Sequence, residues 1–224
     1  MKKSALLIIA LFSVISLLAQ SNKKDSISHD KNAKALLDQL SAKTKSYQSI
    51  SVKFDYTIEN TQKKKTDKYV GEAYLKGDKY KLKLPGNEIF CDGKTVWTYL
   101  LDAKEVNITN QDPKDESILN PSKMFTIYEK GFKFRMKGEE KIRGEKCTLI
   151  ELYPEKVKGK KYSMIKLFVN KVKMQIAAIR YIGKDGNNIS IDISEFKANQ
   201  KLEDNMFAFD KLKFPNVEEN DLRN

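Results

Sequence analysis

The chain has 224 residues, 40% of them hydrophobic, and its 42 Lys and Arg exceed its 30 Asp and Glu, which gives a net charge of +12. This length suits one medium-sized globular domain with a single large core. Ten Gly and five Pro are too few for a collagen-like or linker-like chain, and ten Tyr with eleven Phe are too many for a disordered one.

The first segment has the pattern of a secretory signal peptide. Two lysines precede residues 5–19, which are apolar except for two serines, and a polar stretch follows. A retained membrane anchor is the alternative, but a spanning helix needs about 20 apolar residues. We expect cleavage after Ala19, which leaves a net charge of +10. Because Cys91 and Cys147 lie far downstream, no lipid anchor is expected at the new N-terminus.

Export changes the meaning of the positive charge. A basic protein outside the cytoplasm rarely meets nucleic acid, so anionic membrane surfaces or acidic partners are favoured instead. The lysine runs at 63–65 and 158–161 fall where hairpin loops are expected, and solvated loops are their simplest interpretation. The two cysteines are in a compartment that permits disulfides, but both lie in apolar strands, so a disulfide and two buried free thiols remain equal alternatives.

The residues after the predicted signal peptide divide into a polar linker at 20–31 and one domain at 32–224. Apolar residues at helical spacing predict an amphipathic helix over 32–45, with Asp30 or Asn32 as its N-cap. These apolar residues are Ala33, Leu36, Leu37 and Leu40. Such a helix needs an apolar surface to lie on.

The rest of the domain has the period of two that is typical of half-buried strands. The apolar face of four such strands comprises Val52, Phe54, Tyr56 and Ile58; Tyr80, Leu82 and Leu84; Phe132, Phe134 and Met136; and Ile189, Ile191 and Ile193. Glycine-containing turns separate the strands and predict an antiparallel meander of about ten strands. Residues 112–129 break the pattern and predict a short helix or lid. The apolar face must be covered, either by closure of the sheet or by a helix, and it either lines a ligand cavity or simply fills the core.

The sequence offers no catalytic constellation. The only histidine, His29, lies in the polar linker, which argues against a catalytic triad or Cys-His pair. No cluster has metal-ligand spacing, no phosphate-binding glycine pattern is present, and the paired carboxylates are adjacent in sequence rather than facing each other. We therefore expect a protein that is not an enzyme and has no cofactor or metal.

Several motifs resemble one family. The segment Cys-Asp-Gly-Lys-Thr-Val-Trp-Thr-Tyr at 91–99 resembles the Ser-Asp-Gly-Lys-x-Leu/Val-Trp-x-Tyr hairpin of the periplasmic carriers of outer-membrane lipoproteins, the LolA type. Residues 49–54 resemble the first strand of that family, and residues 120–125 resemble its central helical excursion. The Phe-x-Phe at 207–209 and the Asp-x-Arg at 221–223 are similar to its C-terminal motifs. The resemblance covers nearly the whole mature chain.

This resemblance implies a mainly β fold with helices: an unclosed, highly curved antiparallel β-barrel with a helical lid over a hydrophobic cavity. The cavity would bind the acyl chains of lipoproteins, received from an ATP-driven transporter in the inner membrane and passed to an acceptor at the outer membrane. We expect a periplasmic monomer that binds no nucleic acid. Lipid-binding positions in the cavity or lid are Phe54, Tyr56, Tyr80, Leu82, Trp97, Met124, Phe125 and Tyr128. For Trp97, a place in the ordinary core is the favoured alternative.

The sequence departs from the family pattern at two positions, and an alternative function is also open. Tyr56 stands where many members have Gln. Many members also carry an Arg associated with lid closure near Lys76 and Gly77, so the lid here is expected to use different contacts. Because an apolar cavity is selective for chain volume rather than headgroup, a carrier or sensor of another periplasmic amphiphile, such as a glycolipid or lipid, is the alternative.

Overall fold

The computed structural model describes residues 30–113 and 120–223. The predicted signal peptide, His29 and residues 114–119 of the predicted lid lie outside the described residues. The helices are α1 (Lys31–Lys45) and α2 (Pro121–Met124), with short 3-10 turns at Ile127–Glu129, Asp204–Phe207 and Lys211–Lys213. The strands are β1 (Ile50–Asn60), β2 (Lys65–Lys76), β3 (Lys79–Leu84), β4 (Asn87–Cys91), β5 (Thr95–Leu100), β6 (Glu105–Asn110), β7 (Phe132–Ile142), β8 (Glu145–Pro154), β9 (Tyr162–Asn170), β10 (Gln175–Gly183), β11 (Asn187–Ala198) and β12 (Glu218–Asp221).

Helix α1 begins one residue before the predicted start because Asp30 is its N-cap. The Asp30 carboxylate accepts hydrogen bonds from the backbone N–H of Asn32 (2.8 Å) and Ala33 (3.2 Å), which would otherwise lack partners in the first turn. Its other oxygen accepts the backbone N–H of Met136 on β7 at 3.2 Å. One side chain therefore both starts the helix and joins it to the sheet, and the four predicted apolar residues of α1 are buried.

The twelve strands form one sheet in the order β12-β6-β5-β4-β3-β2-β1-β11-β10-β9-β8-β7. Strands β7 and β12 are the two edges, so the sheet curves without closing, as predicted. The number of strands exceeds the predicted ten. The antiparallel sheet is confirmed, and β12 at one edge adds a single parallel pair with β6. The sequence of β12, Glu-Glu-Asn-Asp, has no apolar alternation that would indicate a strand.

The sheet has two faces with different coverings. We call the face that packs against α1 and α2 the inner face, and its side chains form the main hydrophobic core. The opposite, outer face of β4 to β6 is covered by residues 199–217, between β11 and β12, which we call the C-terminal segment. Its Phe209 and Phe214 rings stack at 4.7 Å and contact Tyr99 and Phe90. A second small core lies around Phe168.

The two cysteines are free and buried in different places, which resolves the open alternative against a disulfide. Cys91 belongs to the main core and Cys147 to the small core around Phe168. Burial raises the pKa of both thiols, which keeps them protonated and unreactive. Within the described residues, none of the helices combines the length and hydropathy that crossing a bilayer requires.

Candidate lipid-binding site

The inner face is a continuous apolar surface that crosses the sheet. Residues paired directly across antiparallel strands point to the same face, so the register shows which side chains are neighbours. One row crosses β1, β2, β3 and β4 through Val52, Ala73, Leu82 and Ile89. A second row crosses β1, β11, β10, β9 and β8 through Tyr56, Ile191, Ile179, Leu167 and Ile150. Both rows belong to the main core, so the surface spans at least eight strands.

Residues 120–129 form the described part of the lid over this surface. Asn120 caps α2 by accepting the backbone N–H of Ser122 at 3.0 Å, and Pro121 occupies the first helical position, where its missing N–H has no cost. Met124, Phe125 and Tyr128 are all at most 3% exposed and pack in the main core. The Phe125 ring meets Phe196 of β11 edge to face at 6.1 Å. The lid therefore inserts its apolar side chains between the walls of the sheet.

The structure brings together seven of the eight predicted site residues. Phe54, Tyr56, Tyr80, Leu82, Met124, Phe125 and Tyr128 all belong to the main core, and each is at most 8% exposed. In this closed arrangement their side chains pack against each other and against α1. Burial raises the pKa of the Tyr56 and Tyr128 hydroxyls, because the ionised form would lose its hydration there.

Trp97 is the exception, and its assignment to the cavity requires correction. It pairs with Phe90, which pairs in turn with Lys81, so all three side chains lie on the outer face. The Lys81 ammonium lies 4.3 Å from the centroid of the Phe90 ring on that face. Every residue of β5 is half-buried, because Val96 packs against the main core on one face and the C-terminal segment contacts Tyr99 on the other. Local alternation could not distinguish the two faces of this strand.

Strands β8, β9 and β10 contribute further apolar residues to the inner face, and none of these was among the predicted site residues. Leu152, Ile165 and Tyr181 are at most 1% exposed and belong to the main core. These strands are buried on both faces over part of their length, so adjacent apolar residues, such as Leu149 with Ile150 and Leu167 with Phe168, obscure the period of two. Run length between turn signals was the only indication available in the sequence.

Glu129 joins the lid to helix α1. Its carboxylate accepts a hydrogen bond from the Ser41 hydroxyl at 2.6 Å and forms a salt bridge with the Lys45 ammonium at 2.9 Å. Partial burial opposes ionisation of Glu129, but the bonds from Ser41 and Lys45 outweigh it and hold its pKa below the usual value. Next to this contact lies a pocket of about 290 Å³, whose apolar wall consists of Leu37, Tyr128 and Phe134.

The comparison with protein families identifies the family of this chain. The family model described as outer membrane lipoprotein carrier protein LolA matches residues 45–210. The chain belongs to this LolA family. The match contains the inner face, the lid and the Phe-x-Phe motif, and it begins at the last residue of α1. The comparison with curated protein sequences found no match.

Several solved structures are similar to this chain at low sequence identity. An uncharacterized conserved protein from Thermus thermophilus is 12% identical with a TM-score of 0.57, and the alignment covers 87% of this chain and 100% of that one. The LolA superfamily protein NE2245 from Nitrosomonas europaea is 14% identical (TM-score 0.44; 80% and 98% covered). LprF from Mycobacterium bovis is 13% identical (TM-score 0.49; 79% and 98% covered). Only the first of these scores exceeds 0.5, and it supports the fold alone.

Lys76 contacts the C-terminal segment. It is the basic residue nearest to the turn where many LolA-family members carry an Arg. Its ammonium donates to the Leu202 carbonyl at 2.9 Å and to the Asp204 carboxylate at 2.8 Å. Lys79 reaches the same carboxylate at 2.9 Å, and the two lysines lower the pKa of Asp204 to about 2. In this member of the family, the lid-to-helix contact at Glu129 is separate from the lysines of the β2–β3 turn.

Proposed function

We propose that this protein is a periplasmic carrier that binds the acyl chains of lipoproteins released from the inner membrane and delivers them to the outer membrane. The observation that carries the proposal is the apolar inner face, continuous across the sheet and covered by a lid with few polar attachments. Membership in the LolA family supports the same function.

Physical chemistry gives the reason for a carrier. Each buried CH₂ group is stabilised by about 0.8 kcal/mol, so the acyl chains of a lipoprotein do not cross water without an apolar container. A sheet lined by Leu, Ile and Phe provides such a container once the lid moves. Met124 and the other lid residues occupy the space that the chains would take, so the lid protects the same surface when no cargo is bound.

Release requires weak contacts as well as apolar ones. The acyl chains would replace apolar contacts of Met124, Phe125 and Tyr128 in the main core, and Met124 has a flexible, adaptable side chain. The pocket beside Glu129 is the proposed entry, because its wall of Leu37, Tyr128 and Phe134 is continuous with the core. No chemical step is involved, and neither a cofactor nor a metal is required.

The proposed partners follow from this route. An ATP-driven transporter in the inner membrane would supply the lipoprotein, and an acceptor at the outer membrane would receive it. We expect the carrier to be a monomer that is exported by a cleaved signal peptide and binds no nucleic acid.

The test is mass spectrometry of the molecules that co-purify with the protein from its own periplasm. Leu82→Asn places a polar group on the inner face, and Ile108→Asn is the matched control on the outer face. Leu82 and Ile108 are both buried, at 1% and 7% exposed, and lie on opposite faces. Circular dichroism establishes that both variants are folded.

We expect acylated N-terminal cysteine peptides to co-purify with the parent and with Ile108→Asn. They should be absent from Leu82→Asn. A glycolipid or free lipid with the same dependence on Leu82 would keep the container and change the cargo to another amphiphile. A parent protein that carries no lipid would contradict the proposal and mean that the inner face only fills the core.

A further inference from the structure

Three connections at one end of the sheet are joined by hydrogen bonds. The backbone N–H of Thr61, in the turn between β1 and β2, donates to the Gly186 carbonyl in the turn between β10 and β11 at 2.9 Å. The backbone N–H of Lys184 in that second turn donates to the Lys161 carbonyl at 3.0 Å, and its ammonium donates to the Val157 carbonyl at 2.8 Å. Lys161 and Val157 belong to the loop between β8 and β9. The three connections form one continuous edge.

This edge concentrates positive charge. We define the lysine rim as residues 61–65, 155–161 and 184–187, which contain eight lysines and two carboxylates, a net charge of +6. The basic residues are Lys63, Lys64, Lys65, Lys156, Lys158, Lys160, Lys161 and Lys184. Half of the protein's net charge of +12 therefore lies in 16 of its 224 residues. The runs at 63–65 and 158–161 are distant in sequence, and only the fold makes them neighbours.

Half of the lysines in the rim are available to an external partner. Lys65 forms a salt bridge with Asp67 at 3.0 Å. Hydrogen bonds from Asn187, and to a smaller extent the charge of Lys161, lower the pKa of Asp185. By contrast, Lys63, Lys64, Lys156 and Lys158 are exposed and form no salt bridge with any residue in the described part of the chain. Between Lys156 and Lys158, the side chain of Val157 is 55% exposed.

We propose that the lysine rim docks the protein onto the surface of an anionic lipid membrane. All the positive charges of the rim are lysines, whose flexible ammonium groups suit diffuse attraction to headgroups, whereas arginine is preferred for bidentate contacts with protein carboxylates. Lysine is also depleted in protein–protein interfaces. The exposed Val157, flanked by lysines, enters the headgroup region while its neighbours remain at the phosphates.

This docking goes beyond the carriage of acyl chains, because the rim residues belong to the connections rather than to the inner face. It would hold the carrier at a membrane surface while cargo is loaded or delivered. If the protein binds membranes but no acyl chains, membrane docking by the lysine rim is supported and the carrier function is refuted. The two proposals can therefore be tested independently.

The experiment is co-sedimentation of the purified protein with vesicles of phosphatidylcholine alone and of phosphatidylcholine with about 30% phosphatidylglycerol. The test variant is Lys63→Gln/Lys156→Gln/Lys158→Gln. The matched control is Lys94→Gln/Lys137→Gln/Lys141→Gln, which removes the same charge from exposed lysines outside the rim. Thermal unfolding monitored by circular dichroism verifies that both are folded.

We expect the parent and the control to bind the anionic vesicles, and the rim variant to bind them about 100-fold more weakly, because each lysine near such a surface contributes about fivefold. Binding should also fall steeply when salt is raised from about 0.05 to 0.5 M, since exposed charges are then screened. Equal binding to neutral vesicles, equal loss in the control, or failure of the parent to bind anionic vesicles would each overturn the proposal. The last outcome would favour an acidic protein as the partner of the rim.

Discussion

The ring of Phe54 lies against the backbone of Gly71, its direct partner on β2. A Cβ atom on Gly71 would lie 2.6 Å from Cε2 of Phe54 and 2.9 Å from Cδ2 of Leu84, closer than such atoms approach. Phe54 is fully buried. The absence of a side chain at residue 71 therefore makes room for the Phe54 ring on the inner face.

Gly71→Ala should destabilise the protein by about 1 to 3 kcal/mol, the usual cost of overpacking a core, even though alanine favours a strand more than glycine does. Urea unfolding measures the change. In the background of Phe54→Leu the same substitution should cost much less, because the clashing ring is gone. An equal cost in both backgrounds would show that Gly71 has another role.

Asp30→Ala should lower the free energy of unfolding by about 1 kcal/mol, because it removes the N-cap of α1 and the bond to Met136. Asp30→Asn is the control, since an amide oxygen can cap the helix without charge. The bonds from Ala33 and Met136 lower the pKa of Asp30 in the folded protein. The difference in the free energy of unfolding between the parent and Asp30→Asn should therefore be fully present above the pKa of Asp30 in the unfolded chain, about 3.8. It should disappear as the pH falls through the lower pKa of Asp30 in the folded protein. A difference that grows on acidification would contradict this assignment.

Glu129→Gln should loosen the lid without unfolding the sheet. The substitution removes the charge that holds Lys45 and weakens the bond from Ser41, and partly exposed pairs of this kind contribute about 0.5 to 1 kcal/mol. Amide hydrogen exchange in residues 121–129 should accelerate about two- to fivefold. Asp38→Asn is the control, because it also removes a negative charge beside the pocket next to Glu129, but Asp38 pairs with Lys34 of its own helix rather than joining the helix to the lid. Equal acceleration in the control would mean that α1, rather than the lid contact, had been weakened.

The same contact gives the lid a defined pH dependence. The folded-state pKa of Glu129 lies below the usual value of 4.5, so its contribution to closure is fully present above that value. It is lost as the pH falls through the lowered pKa. Protection factors for residues 121–129, corrected for intrinsic exchange, should therefore be constant from about pH 6 to 8 and decrease below about pH 4. Glu129→Gln should show no such decrease.

The fluorescence of Trp97, the only tryptophan, should not change when acyl chains bind. It lies on the outer face, whereas the proposed binding surface is the inner face. A fatty acid brominated along its chain should therefore leave the fluorescence of the parent nearly unchanged. In a Trp97→Phe/Phe54→Trp variant the same probe should quench the emission strongly. Strong quenching of Trp97 in the parent would return this residue to the binding site.

The elements with a local signal were predictable, and those that depend on remote contacts were not. The spacing of Ala33, Leu36, Leu37 and Leu40 predicted α1 because a helix on a surface needs one apolar stripe. The alternation at Phe54 and Leu82 predicted the inner face for the same kind of reason. Trp97 was misplaced because the C-terminal segment covers the outer face of β5, and that covering comes from residues more than 100 positions away.

Other features were hidden for related physical reasons. Strand β12 is polar and gains its place by parallel pairing with β6, which no periodicity indicates. The free state of Cys91 and Cys147 depends on their burial in different clusters. The lysine rim requires three connections to meet at one end of the sheet. In each case the information lies in the register and curvature of the sheet rather than in a stretch of the chain.

The edges β7 and β12 have a mechanical consequence. Neither edge pairs with the other among the described strands, so the wall has a seam without ladder hydrogen bonds. Widening that seam would increase the interior without breaking a bond between neighbouring strands, whereas a closed cylinder has a circumference fixed by its ladders. The sheet is therefore easier to deform across this seam than between its paired strands. The volume of the interior is set by how far the edges β7 and β12 separate.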